Sequence, residues 1–455
     1  MTKNMELYER AKNVMPGGGT SGGRAHQILK YPLYMDHTEG CRMYTVDGDE
    51  YMDFCCGSGA TLYGHNHPRL KKAVQEAVEK GFFMGYESET SVEFAERLQK
   101  LVPSLEKIRL CNSGTEATMG AIRVARGYTG KNIIIKMDGH FHGMHEMVWY
   151  GHGNFPPMDE HGEVECAVPD SAGFPADADK NVRVIRFNDA EALAHALEKY
   201  RGQVAAVIME PISYNCGCYE ARKEYLHKAR ELCTREQVLL IFDEVICGFR
   251  IRPGSAQEYY GVRPDLSTFA KAAGGGFQVA LVGGRADIMD MFNPLGPVVM
   301  SGTYTGTYIA MCAGLECVKM VSETGFYDKL EALETQLYQG MNELFKKYKI
   351  PGHVRGRGGQ FGIYFGYDDP EIDYDLRTSI SLYDVEMGKK FIQGALDEHM
   401  FFHYFGGNSP YPPHCGISIQ HTAEDIAEAL KRMDRIFDKL KRNEIVLKNQ
   451  DVKIL

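Results

Sequence analysis

Short apolar runs rich in strand-forming residues alternate with longer amphipathic segments through the middle of the chain. Consecutive apolar residues at 133–135, 204–209 and 239–242 are typical of strands that are buried on both faces of a parallel sheet. Between the last two runs, residues 219–236 place apolar side chains at helical spacing. The repeated order of strand, helix and strand predicts an α/β fold with a mostly parallel, doubly wound sheet.

The pattern changes towards both ends of the chain. A helix is predicted near 7–14, and short strands at 43–46 and 51–54 are predicted to form a hairpin. Late in the chain we predict a strand near 416–419 and a terminal helix at 423–441, capped by the preceding threonine. These segments predict an N-terminal segment that packs with the small domain, a large ligand-binding domain and a smaller α/β C-terminal domain: residues 1–55, 56–310 and 311–455.

Two polar residues follow apolar runs at the ends of predicted strands. Asp243 closes the run 239–242, and Lys271 follows the run 264–270. Parallel strands deliver such residues to the edge where open α/β sheets bind ligands. A lysine and a carboxylate at this edge suit pyridoxal 5'-phosphate, which needs an amine for its Schiff base and an acid that keeps its ring nitrogen protonated. A surface lysine and a capping aspartate would explain the pair equally well, so the phosphate site has to decide.

A strand, a turn of small residues and a helix follow one another at 107–128. The turn is Ser113-Gly114-Thr115, at the predicted amino end of the helix. Backbone N–H groups and the helix dipole at such an end attract a phosphate, and the two hydroxyls add donors. Serine and threonine also cap helices that bind nothing. The preceding strand is the feature that favours a phosphate site.

An aromatic side chain between histidines follows the strand that begins at 133. Phe141 lies next to His140 and His142, and such a ring can stack on a flat heterocycle. A metal site formed with His145 is the alternative. No carboxylate at ligand spacing completes that set, so stacking is the favoured interpretation.

Glycine-rich and loop-like segments offer further binding positions. Residues 16–23 contain too much glycine for regular structure, and Arg24 at their end can form two hydrogen bonds with a carboxylate or simply be a solvated loop arginine. The stretch 150–180 has little periodicity, and loops of that length are usually functional or mobile. A hydroxyl-rich loop at 301–307 precedes a long predicted helix.

Charge and cysteine content narrow the possible partners. The net charge of −10 argues against nucleic acid and anionic membrane surfaces as partners, because both attract a basic face. No run approaches the roughly 18 apolar residues of a membrane span. The twelve cysteines are scattered, without a secretory signal and without zinc-like spacing. We therefore expect reduced thiols, a cytoplasmic location and no metal site.

Taken in this order, these motifs resemble the class III (omega) aminotransferases of the fold type I pyridoxal phosphate enzymes. Within that class they are most similar to the glutamate semialdehyde aminomutase branch. The resemblance runs from Met15-Pro16-Gly17-Gly18 to the start of the terminal helix near residue 421. It implies a PLP-dependent transferase with a large domain, a smaller C-terminal α/β domain and a homodimer with shared active sites.

The resemblance also implies roles for individual residues. Lys271 forms the Schiff base and moves the proton between the substrate Cα and the C4′ atom of the cofactor, while Asp243 holds the proton on the ring nitrogen. Phe141, with His142 beside it, covers one face of the ring. The remaining implied contacts are Val245 on the other face, Ser113, Gly114 and Thr115 on the phosphate, Thr303 on the phosphate of the neighbouring subunit, Asn215 near the phenolic oxygen and Arg24 on a substrate carboxylate.

Three departures from the aminomutase branch concern the substrate. Ser58 stands where that branch has tryptophan, which implies a wider pocket, and His414 stands where it has an acidic residue. Gly306-Thr307-Tyr308 replaces the usual Gly-Asn-Pro. We therefore expect an aminotransferase for a bulkier carboxylate-bearing amine, such as a β- or D-amino acid, with a keto acid or aldehyde as acceptor. An aminomutase or epimerase is the alternative. A catalytically silent binding protein would be expected to lack the lysine, the aspartate or the phosphate turn.

Overall fold

The structure is a computed structural model and describes residues 1–81, 83, 85–404, 411–412 and 414–449. Strands and helices are numbered in chain order. The strands are β1 (Met35–Glu39), β2 (Arg42–Thr45), β3 (Glu50–Phe54), β4 (Lys107–Cys111), β5 (Ile133–Met137), β6 (Val182–Ile185), β7 (Val204–Met209), β8 (Ile212–Ser213), β9 (Tyr219–Glu220), β10 (Leu239–Asp243), β11 (Leu266–Phe269), β12 (Ala280–Gly284), β13 (Gly352–Arg357), β14 (Gln360–Phe365), β15 (Met400–Phe402) and β16 (His414–Gly416).

The α-helices lie between these strands and at both ends of the described chain. They are α1 (Lys3–Lys12), α2 (Pro68–Lys80), α3 (Glu89–Leu101), α4 (Gly114–Thr129), α5 (Ala190–Lys199), α6 (Lys223–Arg235), α7 (Ser255–Tyr260), α8 (Ala286–Met289), α9 (Tyr308–Val321), α10 (Phe326–Tyr348), α11 (Leu376–Leu382), α12 (Val385–Asp397) and α13 (Ala423–Lys441).

The chain divides into two compact units. The terminal unit comprises the described residues of Met1–His67, Asp328–Ile372 and Arg377–Leu455, and the central unit comprises those of Pro68–Tyr327 and Asp373–Leu376. The main borders therefore lie at 67/68 and 327/328, whereas the sequence analysis placed its boundaries at 55/56 and 310/311. That sequence-based division stays a prediction.

A seven-stranded sheet forms the centre of the central unit. Its strand order is β4-β12-β11-β10-β7-β5-β6, and β12 runs antiparallel to both of its neighbours while the other pairs are parallel. Strands β5, β7, β10, β11 and β12 are buried along their whole length. Complete burial explains the long apolar runs of β7 and β10, although β5 also buries Lys136 and β11 buries Ser267 and Thr268. The predicted mostly parallel α/β sheet is confirmed.

Small residues let helix α4 pack closely on this sheet. Ala117, Ala121 and Ala125 are fully buried and belong to the same hydrophobic core as Ile208 and Ile241 of the sheet. Alanine has a short side chain and a high helix propensity, so it suits a helix that must approach a sheet closely. This packing fixes the amino end of α4, where the predicted phosphate turn lies.

The terminal unit contains two smaller sheets. The predicted hairpin is present as β2 and β3, and β3 also pairs in parallel with β15 in the four-stranded order β1-β2-β3-β15. The second sheet has the order β13-β14-β16. Helix α13 begins with the predicted cap, in which Thr422 and Asp425 bond each other's backbone N–H groups.

Three boundaries differ from the sequence prediction. Helix α1 begins earlier than 7–14, because the Thr2 hydroxyl caps it by accepting from the Met5 N–H at 3.3 Å. Helix α6 begins later than residue 219, because Tyr219 and Glu220 pair with β8. The strand expected at 416–419 lies at β16, since the Ser418 N–H donates to the ring of His421 and turns the chain towards α13.

None of the helices formed by the described residues combines the length and the apolar character that a bilayer crossing requires.

Candidate active site

Asp243 ends β10 at the carboxyl edge of the large sheet, and three groups fix its carboxylate. Oδ2 lies 2.8 Å from Nδ1 of His142, while Oδ1 accepts from the Val245 N–H at 3.0 Å and from the Thr268 hydroxyl at 3.1 Å. The side chain is 3% exposed. A carboxylate has about four acceptor positions, so these three contacts orient Asp243 and leave one position for another donor.

Lys271 follows β11 at the same edge of the sheet. Its φ of +47° lies in the left-handed region, which is uncommon for a residue with a side chain and is often found at functional sites. Burial lowers the pKa of the Lys271 amine to about 8, although the nearby carboxylates of Asp243 and Glu210 act in the opposite direction. Asp243 and Lys271 thus lie at the ends of the neighbouring strands β10 and β11, where the charge of Asp243 raises the pKa of the amine.

The Ser113-Gly114-Thr115 turn is closely packed at the amino end of α4. The Ser113 hydroxyl caps the helix by accepting from the Glu116 N–H at 3.2 Å. A Cβ atom on Gly114 would lie 2.9 Å from Cγ1 of Val245. Only glycine fits there, and Val245 itself follows the strand that ends in Asp243. Turn and strand end are thus in direct contact.

Two backbone donors of this turn remain available. Ser113 satisfies the N–H groups of Glu116 and Ala117 through its hydroxyl and its carbonyl. In the described part of the chain, the N–H groups of Gly114 and Thr115 have no hydrogen-bond partner. Free N–H groups at a helix amino end form a site for an anion such as phosphate. The turn therefore fits the phosphate group that the sequence analysis expected there.

Phe141 lies in the loop after β5 and is half-buried. Its N–H donates to Oε1 of Glu210 at 2.8 Å, and its ring centroid lies 5.1 Å from that of His152 in a tilted arrangement. Phe141 is therefore not fully enclosed, and the residue that follows it, His142, contacts Asp243. The ring is therefore available for stacking on a flat ligand.

The three histidines considered as a metal site contact different groups. His140 accepts the Glu210 N–H at 2.9 Å, His142 contacts the carboxylate that ends β10, and His145 lies 3.2 Å from the Thr118 hydroxyl. Among the residues that the structure describes, no group of three or more histidine, cysteine, aspartate or glutamate side chains is placed to hold a metal ion. The arrangement favours the stacking interpretation of this segment.

Asn215 lies in the short turn between β8 and β9 and is half-buried. Its Nδ2 atom is buried and has no hydrogen-bond partner among the described residues. A buried amide donor is normally satisfied, so an orphan of this kind points to an acceptor supplied by a ligand or by water. This observation fits the expected contact with the phenolic oxygen of the cofactor.

Glu210 is a site residue to which the sequence analysis assigned no role. It is 3% exposed, and burial together with the charge of Asp243 raises its pKa to about 8. The available signal was its position directly after the apolar run of β7, which is the same signal that identified Asp243. The local sequence does not show that Glu210 contacts Phe141, because the two residues are 69 positions apart.

Thr303 is exposed in the loop that precedes α9. The same loop is tied to the phosphate turn, since Nδ2 of Asn112 donates to the Thr305 hydroxyl at 3.4 Å. The structure therefore places the hydroxyl-rich loop next to the turn, with Thr303 facing away from the described core.

Arg24 and Ser58 belong to the terminal unit. Arg24 is exposed at the end of a short turn. Burial of Cys55 raises the pKa of its thiol to about 12, and the charge of Arg24 slightly lowers this pKa. The Ser58 hydroxyl lies 3.0 Å from Nε2 of His403, whose ring centroid is 4.5 Å from that of His414. Serine and the two histidines thus form one polar cluster.

Ser58 lies in a left-handed turn that the sequence analysis missed. Residues 56–59 all have positive φ values, and two of them, Cys56 and Ser58, are not glycine. Each non-glycine residue in this conformation costs roughly 1–2 kcal/mol. The flanking glycines were the signal for a tight turn, but the local sequence does not show why a cysteine and a serine share it.

His26, which had no predicted role, is a core residue. It is buried, with Nε2 3.3 Å from the Phe402 carbonyl, and burial lowers its pKa to about 4. This histidine therefore helps to join the N-terminal residues to β15.

Comparison with known proteins gives a consistent result. The sequence model described as aminotransferase class-III matches residues 24–436. An omega-transaminase from Sphaerobacter thermophilus has a TM-score of 0.87 and 29% identity, and the match covers 97% of this chain and 98% of that one. A β-phenylalanine aminotransferase from Variovorax paradoxus has a TM-score of 0.80 and 26% identity, with 96% and 93% covered.

A more distant structure shares the fold. A glutamate-1-semialdehyde aminomutase from Pseudomonas aeruginosa PAO1 has a TM-score of 0.84 at 20% identity, and the match covers 96% of this chain and 94% of that one. At this identity the likeness concerns the fold alone.

Proposed function

The chain belongs to the class III aminotransferase family, whose members use pyridoxal 5'-phosphate, and from that premise we propose both its site residues and its substrate class. The enzyme moves an amino group between a carboxylate-bearing amine and a keto acid or aldehyde. The observation that carries this proposal is the position of Asp243 and Lys271 at the ends of the neighbouring strands β10 and β11, next to the phosphate turn.

The cofactor would be held by N–H donors that have no partner among the described residues, together with two hydroxyl groups. The free N–H groups of Gly114 and Thr115, with the hydroxyls of Ser113 and Thr115, suit its phosphate. The orphan amide of Asn215 suits its phenolic oxygen. The ring would lie between Phe141 and Val245.

Asp243 is the group that would keep the ring nitrogen protonated. Its carboxylate is already oriented by three hydrogen bonds and retains one acceptor position. His142, which supplies one of those bonds, is fully buried, so the contact is shielded from water. When bound, pyridoxal phosphate supplies an aldehyde that condenses with amines and a ring that takes up electrons from the bond broken at Cα.

Lys271 is the group that would move the proton at the substrate Cα. With a pKa of about 8, part of its population is neutral near pH 7, and a neutral amine can accept a proton. The carboxylate of Asp243 would stabilise the protonated amine, because its charge raises the pKa of Lys271. An ordinary lysine, with a pKa of 10.5, would be neutral much less often.

The substrate would be recognised by residues of the terminal unit. Arg24 has an exposed guanidinium, which can form two parallel hydrogen bonds with a carboxylate. The small side chain of Ser58 leaves room for a bulky amine. A neighbour of similar fold is a β-phenylalanine aminotransferase, and this likeness supports a β-amino acid as the first candidate, with D-amino acids as the second.

A homodimer and a cytoplasmic location complete the proposal. Thr303 is exposed on a loop beside the phosphate turn, where it would reach the phosphate site of a second copy. All twelve cysteines are free, and nine of them are buried thiols, which suits a reducing compartment.

The visible absorption spectrum of the purified protein tests the proposal. We expect a cofactor band that disappears when a β- or D-amino acid is added alone and returns when a keto acid follows. A band that stays while product forms from a single substrate would favour the aminomutase or epimerase, which needs no second substrate. Failure to develop any band after addition of pyridoxal phosphate would contradict the proposal.

A further inference from the structure

One peptide group in the loop after β5 is held at both ends by buried ionisable side chains. Nζ of Lys136 donates to the carbonyl oxygen of His140 at 2.9 Å. The N–H of Phe141 donates to Oε1 of Glu210 at 2.8 Å. The carbonyl of residue 140 and the N–H of residue 141 belong to the same planar peptide unit. The Lys136 amine and the Glu210 carboxyl group thus fix the orientation of a single peptide plane.

Lys136 is an unexpected residue for its position. It lies inside β5, between Val184 of β6 and Ile208 of β7, and it is 0% exposed. Burying an ammonium group is costly unless it is paired and hydrogen-bonded. Its second hydrogen bond goes to the Tyr150 carbonyl. Burial lowers the pKa of Lys136 to about 8, although nearby acidic groups raise it. The two hydrogen bonds of Nζ therefore have to offset the cost of burying the ammonium group.

Glu210 holds the opposite side of the same peptide. It follows β7, the neighbour of β5 in the sheet, so adjacent strands supply both side chains. Its own N–H donates to Nδ1 of His140 at 2.9 Å, which adds a hydrogen bond in the reverse direction. The Ser213 hydroxyl donates to the same Oε1 atom at 3.4 Å. The loop is therefore attached to two rigid strands directly before the ring of Phe141.

The ring itself is only loosely enclosed by side chains. Phe141 is half-buried, and its ring contact is the tilted one with His152 at 5.1 Å between centroids. The peptide plane sets the direction of the bond from N to Cα of Phe141, and the staggered χ1 wells then leave only a few orientations of the ring. A fixed peptide plane therefore places the ring at low entropic cost when a ligand arrives.

We propose that Lys136 and Glu210 are positioning residues that clamp the His140–Phe141 peptide and thereby hold the Phe141 ring against the face of the cofactor. This inference rests on the proposed stacking role of Phe141. Neither charged residue need touch substrate or cofactor, because both act through the backbone of Phe141. If Lys136 only stabilised the loop after β5, its substitution would not change how the Phe141 ring contacts the cofactor.

A double-mutant cycle in the full-length protein tests the coupling. The variants are Lys136→Met, Phe141→Ala and their combination, and the probe is pyridoxamine phosphate, which binds the apoprotein without a covalent bond to Lys271. We expect each single variant to weaken binding about three- to tenfold, the range that an aromatic contact supports. The double variant should bind no more weakly than Phe141→Ala alone, since without the ring the clamp has nothing to position.

Circular dichroism induced in the band of the bound ligand provides the second readout. Lys136→Met should change this signal as Phe141→Ala does, because both alter how the ring meets the ligand. Lys131→Met is the matched control, since Lys131 also donates to a backbone carbonyl, that of Gln237, away from this loop. It should leave affinity and signal unchanged.

Two results would overturn the inference. One is an additive double variant, and the other is a Lys136→Met protein with a lower melting temperature but unaltered affinity and dichroism. If Phe141→Ala itself has no effect on affinity, the stacking role in the proposed function fails instead.

Glu210 gives a second route if Lys136→Met does not fold. Glu210→Gln keeps an oxygen that can accept from the Phe141 N–H and should retain affinity within about twofold. Glu210→Leu removes the acceptor and should reproduce the loss of affinity and the altered dichroism. Equal behaviour of the glutamine and leucine variants would contradict the clamp.

Discussion

The proposed cofactor residues in the central unit and the proposed substrate residues in the terminal unit are held in different ways. Asp243 is buried and oriented by three hydrogen bonds at the end of a core strand. Arg24 is exposed on a short turn, and Ser58 lies in a left-handed turn. In the proposed assignment, the chemistry depends on buried strand ends, whereas substrate recognition depends on loops. Loops tolerate change better, so substrate choice can vary without loss of the catalytic site.

The largest expected effect separates chemistry from cofactor binding within the central unit. Lys271→Ala should lower the transamination rate at least about a thousandfold, because it removes the group that moves the proton. The variant should still bind pyridoxamine phosphate through the phosphate turn and the ring contacts. Rate measurements with the best amino donor and binding titrations check the two halves of the prediction. Turnover close to that of the parent enzyme would refute the role of Lys271.

The pKa of Lys271 sharpens the contrast with a surface lysine. In the apoenzyme, burial lowers this pKa to about 8, so the neutral amine should increase about fiftyfold between pH 6 and pH 8 and then level off. The rate of Lys271 acylation, followed by mass spectrometry, should show the same profile. Asp243→Asn removes a charge that raises the pKa, so its midpoint should move to lower pH. A rate that still rises steeply above pH 9 would contradict this assignment.

Arg24→Gln tests whether the terminal unit affects recognition alone. Loss of a charge-assisted pair should raise KM for the amino donor about ten- to a hundredfold, with little change in affinity for pyridoxamine phosphate. The KM of Arg24→Lys should lie between those of the parent enzyme and Arg24→Gln, since lysine keeps the charge but cannot form two parallel hydrogen bonds with a carboxylate. Steady-state kinetics and binding titrations provide both numbers. An equal loss of cofactor affinity would break the proposed division of labour.

Gly114→Ala, in the central unit, is expected to have a smaller effect, and this effect concerns cofactor binding. The added Cβ would lie 2.9 Å from Val245, a stiff branched side chain, so the phosphate turn must shift. Affinity for pyridoxamine phosphate should fall about tenfold. The KM for the amino donor, measured with the enzyme saturated with cofactor, should remain unchanged. Titration of the apoprotein, with its melting temperature as a check on folding, measures the change.

Ser58→Ala should produce the smallest change. It removes the hydrogen bond to His403, worth about 1 kcal/mol of unfolding free energy, and leaves the left-handed turn in place. KM for the amino donor should change by no more than about threefold, and cofactor affinity should stay the same. Denaturant unfolding and steady-state kinetics record both. A large loss of cofactor affinity would show that the two regions are not independent.

Most of the central sheet could be predicted from local pattern. Unbroken apolar runs identified β5, β7 and β10, and the polar residue after the last of these runs is Asp243. The antiparallel direction of β12 could not be predicted, because an apolar run does not show how a strand is oriented relative to its neighbours in the sheet. Strand β15 was missed for a related reason: three residues are too short for a pattern, and its partner β3 lies far away in the chain.

The sequence by itself determined which residues are available at strand ends and helix starts. Apolar periodicity selects the strands, and small polar residues such as Ser113 and Thr422 satisfy the first N–H groups of a helix, so both signals are local. Tertiary structure alone decided which of these residues meet. His142 reaches Asp243 across 101 positions, and Glu210 reaches Phe141 across 69. Such contacts depend on the order of strands in the sheet, because adjacent strand ends, and not neighbours in sequence, place buried polar groups within hydrogen-bonding distance.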